Sequence, residues 1–371
     1  MVDESAGWII DPDTLGPVVT DRRGVEASLA GADPVERLFL LPLLGQLDRA
    51  MSEADRLLAD PQVRQDPWQV LLLVGELHRA SADPEQAERV QTEAWRFARS
   101  RSRQATTLHH IGQRCWEFGD SYAAGACFEL ALTMRRGFAE PDVIAASELA
   151  VGRVRQVLGF DAIVLAGGQG RRFGGGRHRL DKPGLPLAGW PLVDHVLLAT
   201  SGATSRIVVG PPRIALGSPV FCREQPPGGG PVAAIAAAAG SVRRPVVAVL
   251  AADLPFVGGA LAALRQCLDG ATHDVGVLVD TAGRVNYLAS MWRTSSLLAA
   301  LDRLSEPAGA PVKALFQGMR VAHVPDFDAL GADCDTPEDL RAAQERIRRR
   351  SPGRLPAAQL AWPRLELHSP S

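Results

Sequence analysis

From Phe160 to Gly175 the chain reads Phe-Asp-Ala-Ile-Val-Leu-Ala-Gly-Gly-Gln-Gly-Arg-Arg-Phe-Gly-Gly, and Asp181-Lys182-Pro183 follows shortly after. Residues 162–166 form a short apolar run with β-branched members that stops at a glycine pair, so the pattern predicts a buried strand feeding a tight loop. Glycines let backbone N–H groups converge on one spot, which suits a polyphosphate, and Arg171, Arg172 and Lys182 add positive charge. The glycine spacing is not that of the dinucleotide fingerprint, and no Gly-Lys-Ser/Thr closes the loop as a Walker motif requires.

Downstream of Gly159 short β-branched runs alternate with helical stretches: 162–166, 206–210, 219–222, 245–251, 274–280 and 320–324. Strands separated by helices imply βαβ units, hence an α/β, Rossmann-like, mostly parallel sheet with helices on both faces. Ligands of such sheets bind outside the carboxyl ends of the strands, where further motifs fall. The run 246–251 delivers Ala252-Asp253-Leu254-Pro255, a carboxylate well placed to hold Mg²⁺, although a turn or cap aspartate would look alike. Pro226 to Ile235 is a glycine and proline loop entering an alanine-rich helix, suited to wrapping a planar base by its backbone. Asp333-Cys334-Asp335-Thr336-Pro337-Glu338-Asp339-Leu340 opens the last helix, with Thr336 or Asp335 as N-cap and Pro337 in the first turn.

Upstream, residues 1–33 are broken by Gly, Pro and Asp and predict an irregular lead-in. Residues 34–158 have helical periodicity, beginning with an apolar face over Leu38 to Met51. Leu71, Val74, Gly75, His78, Ala87, Gln91 and Ala94 recur 37 residues later as Leu108, Ile111, Gly112, Cys115, Ala124, Phe128 and Ala131. That small-and-large pattern is tetratricopeptide-like and predicts an all-α helical-repeat domain serving as a protein-binding or dimerising surface. Adjacent His109 and His110 point about 100° apart on a helix, so they read as surface residues rather than a metal site, and Trp68, Trp95 and Trp116 read as core anchors.

Forty basic against 42 acidic residues leave a net charge near zero, which argues against nucleic acid or an anionic membrane as partner. Five scattered cysteines suit reduced thiols, and no run is apolar enough to span a bilayer, so the cytoplasm is the expected compartment. Residues 159–347 form the expected catalytic domain and 348–371 an expected disordered tail.

The order Leu-Ala-Gly-Gly, Asp-Lys, Gly-Pro-Val-Ala, Ala-Asp-Leu-Pro, Asp-Thr-Pro-Glu-Asp-Leu resembles the molybdenum cofactor guanylyltransferase family over about residues 160–345. The resemblance implies a nucleotidyltransferase that binds GTP and Mg²⁺ and moves GMP onto the terminal phosphate of molybdopterin, releasing pyrophosphate. It implies nucleotide contacts at Leu165, Ala166, Gly167, Gly168, Gly230 and Pro231, phosphate contacts at Arg172 and Lys182, and Mg²⁺ at Asp253. Asp333 and Asp335 fall near the acceptor, with Asp335 a candidate second metal ligand. The catalytic set is then Arg172, Lys182 and Asp253, with no general base, because the acceptor phosphate is already a competent nucleophile. Two departures stand out. Residues 176–180 lengthen the loop before Asp181-Lys182, which is read as a tolerated bulge in preference to Arg177 or Arg179 reaching the phosphates or to a misplaced Lys182 that weakens the enzyme. Arg223 replaces an aspartate that several relatives carry before the Gly-Pro loop, which leaves the choice of base open; an enzyme that uses CTP, or another phosphorylated acceptor, is the alternative within the class. A weakened nucleotide-binding scaffold, with its helices on a protein partner, is the reading from another class.

Overall fold

The computed structural model describes residues 7–167, 181–270 and 272–349. The chain divides into two compact units, one running to Val154 and the other beginning at Arg155. Among the described residues no helix is long and apolar enough to cross a membrane.

The first unit begins with a small hairpin, β1 (Trp8–Ile10) antiparallel to β2 (Pro17–Val19), followed by helix α1 (Arg22–Gly31). Residues 7–33 are therefore not the irregular lead-in that their Gly, Pro and Asp content suggests. Two of those breakers are caps: Asp21 accepts from the Arg23 amide at the start of α1, and Asp33 opens α2 (Pro34–Leu43) with a reciprocal capping box to Glu36. Val25 and Ala32 pack with Leu40, Leu44, Trp8 and Val19 into a core of their own. The turn between the strands is pinned to a later helix, because Gln113 Nε2 donates to the Leu15 carbonyl at 2.7 Å and Trp116 Nε1 to that of Asp13 at 3.2 Å.

The apolar run from Leu38 to Met51 is split by Gly45 at φ +76°, so it continues as α3 (Leu47–Ala59), and the short α4 (Pro61–Gln65) follows. Then come α5 (Trp68–Ala80), α6 (Pro84–Phe97), α7 (Arg101–Glu117), α8 (Ser121–Arg135) and α9 (Pro141–Leu158). Helices α5 and α6 pair, as do α7 and α8, through matched close approaches. A Cβ on Gly75 would lie 2.8 Å from Gln91 Cγ, and one on Gly112 would lie 2.7 Å from Phe128 Cε1. The N-caps Asp83 and Asp120 likewise hold equivalent places at the starts of α6 and α8. His109 and His110 are half-buried rather than on the surface: the His109 ring lies 5.2 Å from that of Phe128, and His110 Nδ1 is 3.0 Å from Glu76 Oε1. The three tryptophans are half-buried rather than core anchors, and Trp68 Nε1 donates to Thr107 Oγ1 at 3.0 Å.

The second unit is built on a seven-stranded sheet in the order β11-β9-β10-β8-β3-β6-β7. Its strands are β3 (Phe160–Leu165), β6 (Arg206–Val209), β7 (Val220–Cys222), β8 (Val246–Ala251), β9 (Val275–Asp280), β10 (Val285–Arg293) and β11 (Val321–Asp326), while β4 (Pro186–Leu187) and β5 (Trp190–Pro191) form a separate hairpin. All neighbours in the large sheet run parallel except β10, which is antiparallel to both β8 and β9. Helices α10 (Leu192–Ala199), α11 (Gly230–Ala239), α12 (Leu261–Gln266), α13 (Thr294–Asp302) and α14 (Pro337–Arg349) complete the unit.

Strand alternation assigns the faces. Ile163, Val247, Val249, Val275 and Val277 pack against Val232 and Ile235 of α11 and Leu297 of α13. Gly276, between two of those valines, points the other way, where a Cβ would meet the Leu264 carbonyl of α12 at 3.0 Å. At the amino ends of the strands the buried Asp161 carboxylate accepts from the amides of Ser205, Arg243 and Arg244 at 3.0, 2.6 and 2.9 Å, which anchors the starts of β6 and β8 beside β3. The carboxyl ends are left for a ligand.

Candidate active site

Three strand exits converge. Leaving β3, Ala166 donates its amide to the Val209 carbonyl at 2.8 Å, and leaving β8, Ala252 donates to the Leu165 carbonyl at 3.1 Å. Gly210, which follows β6, fits so closely that a Cβ would stand 2.8 Å from the Ala166 oxygen. Leu165, Ala166 and Gly167 therefore start the predicted nucleotide loop from a fixed point. Gly168, Arg172 and the added residues 176–180 lie outside the described residues.

Lys182 opens a short 3-10 turn, Lys182–Gly184, and its side chain is only 10% exposed. Its ammonium donates to Asp253 Oδ2 and Asp335 Oδ1. Burial alone would lower the Lys182 pKa, but the hydrogen bonds and charges of the two aspartates outweigh it and the net shift is upward. Asp253 leaves β8 as the sequence predicts, and its backbone oxygen accepts from the Cys334 amide at 3.1 Å, so the 333–335 segment is tied to the β8 exit. Thr336, not Asp335, is the N-cap of α14: its hydroxyl accepts from the Asp339 amide while Asp339 Oδ2 accepts from the Thr336 amide. Asp335 is thereby released from capping and its side chain turns to Lys182.

Asp333 is exposed and borders a cavity of about 650 Å³ lined also by Asp280, Arg284, Asn286, Tyr287 and Phe327. Partial desolvation, followed by the neighbouring charges of Asp335 and Asp253, pushes its carboxyl pKa up. The cavity floor is held by Asp326, which accepts from the amides of Leu330 and Gly331, and by Asn286, whose amide donates to the Gly331 carbonyl at 2.8 Å.

Gly230 begins α11 at φ +88° and Pro231 follows in its first turn. Two residues that the sequence reading passed over belong here. Glu224 is buried, accepts from the Gly228 amide at 2.9 Å, and lies 3.9 Å from where a Gly167 Cβ would be, so it sits between the two glycine segments. The sequence signal for Glu224 is an acidic residue just ahead of the Gln-Pro-Pro-Gly run, and its neighbour Arg223 is exposed. Arg213 Nη1 donates to both oxygens of Asp181 at 2.9 Å and ties the 181–184 turn to the segment after β6. No short motif marks it.

Among the described residues no cluster of three or more His, Cys, Asp or Glu side chains could hold a metal by itself. Asp253 and Asp335 nevertheless suit Mg²⁺, which commonly takes one or two carboxylates and completes its shell with water and substrate phosphates. Asp253 Oδ1 is buried without a hydrogen-bond partner, and a cation, the Lys182 ammonium, already rests on the same two carboxylates. The donors are hard oxygens around a point that favours positive charge.

Residues 162–337 match the family model of the MobA-like NTP transferase domain. The molybdenum cofactor guanylyltransferase of Rhodobacter capsulatus is 31% identical over 201 residues, an alignment covering 51% of this chain and 97% of that protein. That of Cereibacter sphaeroides is 33% identical over 203 residues, covering 50% of this chain and 96% of the relative. That of Acidiphilium cryptum is 31% identical over 195 residues, with 49% and 93% covered.

Proposed function

Since the chain belongs to the MobA-like NTP transferase family, and is an enzyme that transfers nucleotides, we propose that it moves GMP from GTP onto the terminal phosphate of a molybdopterin-type acceptor. The observation that carries this reading is the meeting of Lys182, Asp253 and Asp335 at the strand exits, beside a cavity that could take an acceptor. The names of the relatives support the choice of GTP and acceptor.

In this reaction an oxygen of the acceptor phosphate attacks the α-phosphorus of GTP. A new P–O–P linkage forms, the bond between the α-phosphorus and the bridging oxygen breaks, and that oxygen leaves with pyrophosphate. The nucleophile is already an anion, so no side chain need remove a proton, and alignment and charge stabilisation are what the protein contributes. The backbone of Leu165 to Gly167 receives the nucleotide, and the Gly230-Pro231 turn, which follows the Gly228 amide held by Glu224, borders the base. Lys182, together with Arg172, meets the phosphates. Asp253 and Asp335 would hold Mg²⁺, which when bound neutralises phosphate oxygens as charge develops on the leaving group. Asp333 and Asn286 face the acceptor from the cavity.

The helical unit supports a second role. Its matched pairs, with Gly75 against Gln91 and Gly112 against Phe128, favour a tetratricopeptide-like platform for a protein partner or a second copy of the chain. Light scattering of the full chain across a concentration series tests self-association.

The deciding experiment is pyrophosphate release from the purified chain offered GTP, CTP, ATP or UTP with Mg²⁺ and molybdopterin, beside Asp253→Ala. Release with GTP alone, lost in the variant, is the expected result. Release with CTP moves the chain to cytidylyl transfer, and nucleotide binding without release from any of the four favours the scaffold.

A further inference from the structure

We infer that the Lys182 ammonium is an internal stand-in for the divalent cation, so that Lys182 and free cation compete for Asp253 and Asp335, and nucleotide phosphates open the cation site by drawing Lys182 away. This rests on the nucleotidyltransfer reading of the same site but concerns what happens before any chemistry.

The chain uses lysine sparingly. Of its 40 Lys and Arg residues only Lys182 and Lys313 are lysines. At position 182 a compact ammonium on a flexible stem matters, because an arginine fork would grip the carboxylates bidentately and release them less readily. Lys182 Nζ contacts Asp253 Oδ2 and Asp335 Oδ1 together, while the other oxygen of Asp253 is buried and unpartnered. The ammonium therefore satisfies part of a donor set that a larger charge would fill.

Charge balance points the same way. Lys182, Asp253 and Asp335 sum to one negative charge, and Asp333 stands nearby. A divalent ion in place of the ammonium would neutralise the two carboxylates and leave Lys182 with a positive charge and neither of the two carboxylates it now contacts. Polyphosphate is the counterion the reaction provides. A ligand shifts an equilibrium only by its differential affinity for the two states, and a nucleotide that binds the freed ammonium while also ligating the cation has that preference. Nucleotide and cation must then strengthen each other's binding by the same factor, and the chain should hold free cation poorly.

The test needs no turnover. Full chain carrying ¹³C-labelled lysine gives two side-chain resonances, assigned with Lys313→Arg, and Mn²⁺ binding without nucleotide is followed by electron paramagnetic resonance. Lys182→Met should bind Mn²⁺ at least tenfold more tightly than the unaltered chain. In the unaltered chain, Mg²⁺ should shift the Lys182 resonance in proportion to filling of the cation site. Equal Mn²⁺ affinity in the two proteins, or saturation with Mg²⁺ that leaves the Lys182 resonance in place, overturns the proposal. If Lys182→Met does not fold, the resonance experiment on the unaltered chain decides alone. A chain that shows this competition yet releases no pyrophosphate with any nucleotide overturns the proposed reaction and leaves the exchange standing.

Discussion

Asp253→Asn keeps the size of the side chain and removes the charge that Lys182 and a divalent ion would share. Pyrophosphate release should fall on the order of 100-fold or more, measured in a coupled phosphate assay, while the melting temperature changes little because Asp335 still holds Lys182. A variant with full activity would remove Asp253 from the site. Asp194 makes a contrasting case on α10: it is buried, and its Oδ1 accepts from the Leu216 amide at 3.0 Å. Desolvation raises its carboxyl pKa to about 6, against the lowering effects of that amide and of Arg213. Because the folded value exceeds the unfolded 3.8, ionised Asp194 costs stability above pH 6, and the cost disappears as pH falls from 6 to below 4. Asp194→Asn should therefore raise stability at pH 8 by on the order of 1–3 kcal/mol and give no advantage at pH 4. Denaturant melts at the two pH values check this, and an advantage independent of pH would refute it.

Among the elements, the closest fit is between paired helices. Gly112→Ala places a methyl group against the Phe128 ring, which is fully buried and cannot swing aside. The helical unit should lose about 1–3 kcal/mol by circular dichroism melts, and Phe128→Leu added to Gly112→Ala should recover part of it. That approach was legible beforehand, because small residues recur opposite large ones at one period. Strands β3 and β8 were legible too, through the apolar runs 162–166 and 246–251, although the first begins after Asp161, which lies within β3. Strand β10 was not, since it mixes Asn286, Ser290 and Arg293 into its length and shifts register between Asn286 and Ser290. Ser290 is satisfied within the strand, its Oγ accepting from Trp292 Nε1 and donating to the Tyr287 carbonyl, both at 3.0 Å, whereas Asn286 and Arg293 reach the distant Gly331 and His273 carbonyls. As an antiparallel insertion it answers to no βαβ rhythm. Within the site, Lys182 and Asp253 stood out because each sits in a short dipeptide or tetrapeptide context. Their contact did not, nor did the roles of Glu224 and Arg213, since those depend on loops brought together by the sheet order.

At the scale of the whole molecule, two units with separate cores predict two calorimetric transitions. Gly112→Ala should move one of them and Asp194→Asn at pH 8 the other. A single transition shifted as a whole by both variants would show that the units melt as one. The ion triad spans the second unit in a way that matters for how the chain is made. Lys182 is separated from Asp253 by 71 positions and from Asp335 by 153. During synthesis the helical unit emerges first and can fold while the sheet is still incomplete. Lys182 then waits for one acidic partner and, much later, for the other, because the strand that leads to Asp335 is last in sequence and sits at the sheet edge. Prematurely terminated chains would thus display a folded helical portion joined to a sheet that lacks its β11 edge and to a Lys182 that lacks Asp335, a ready substrate for quality-control proteases.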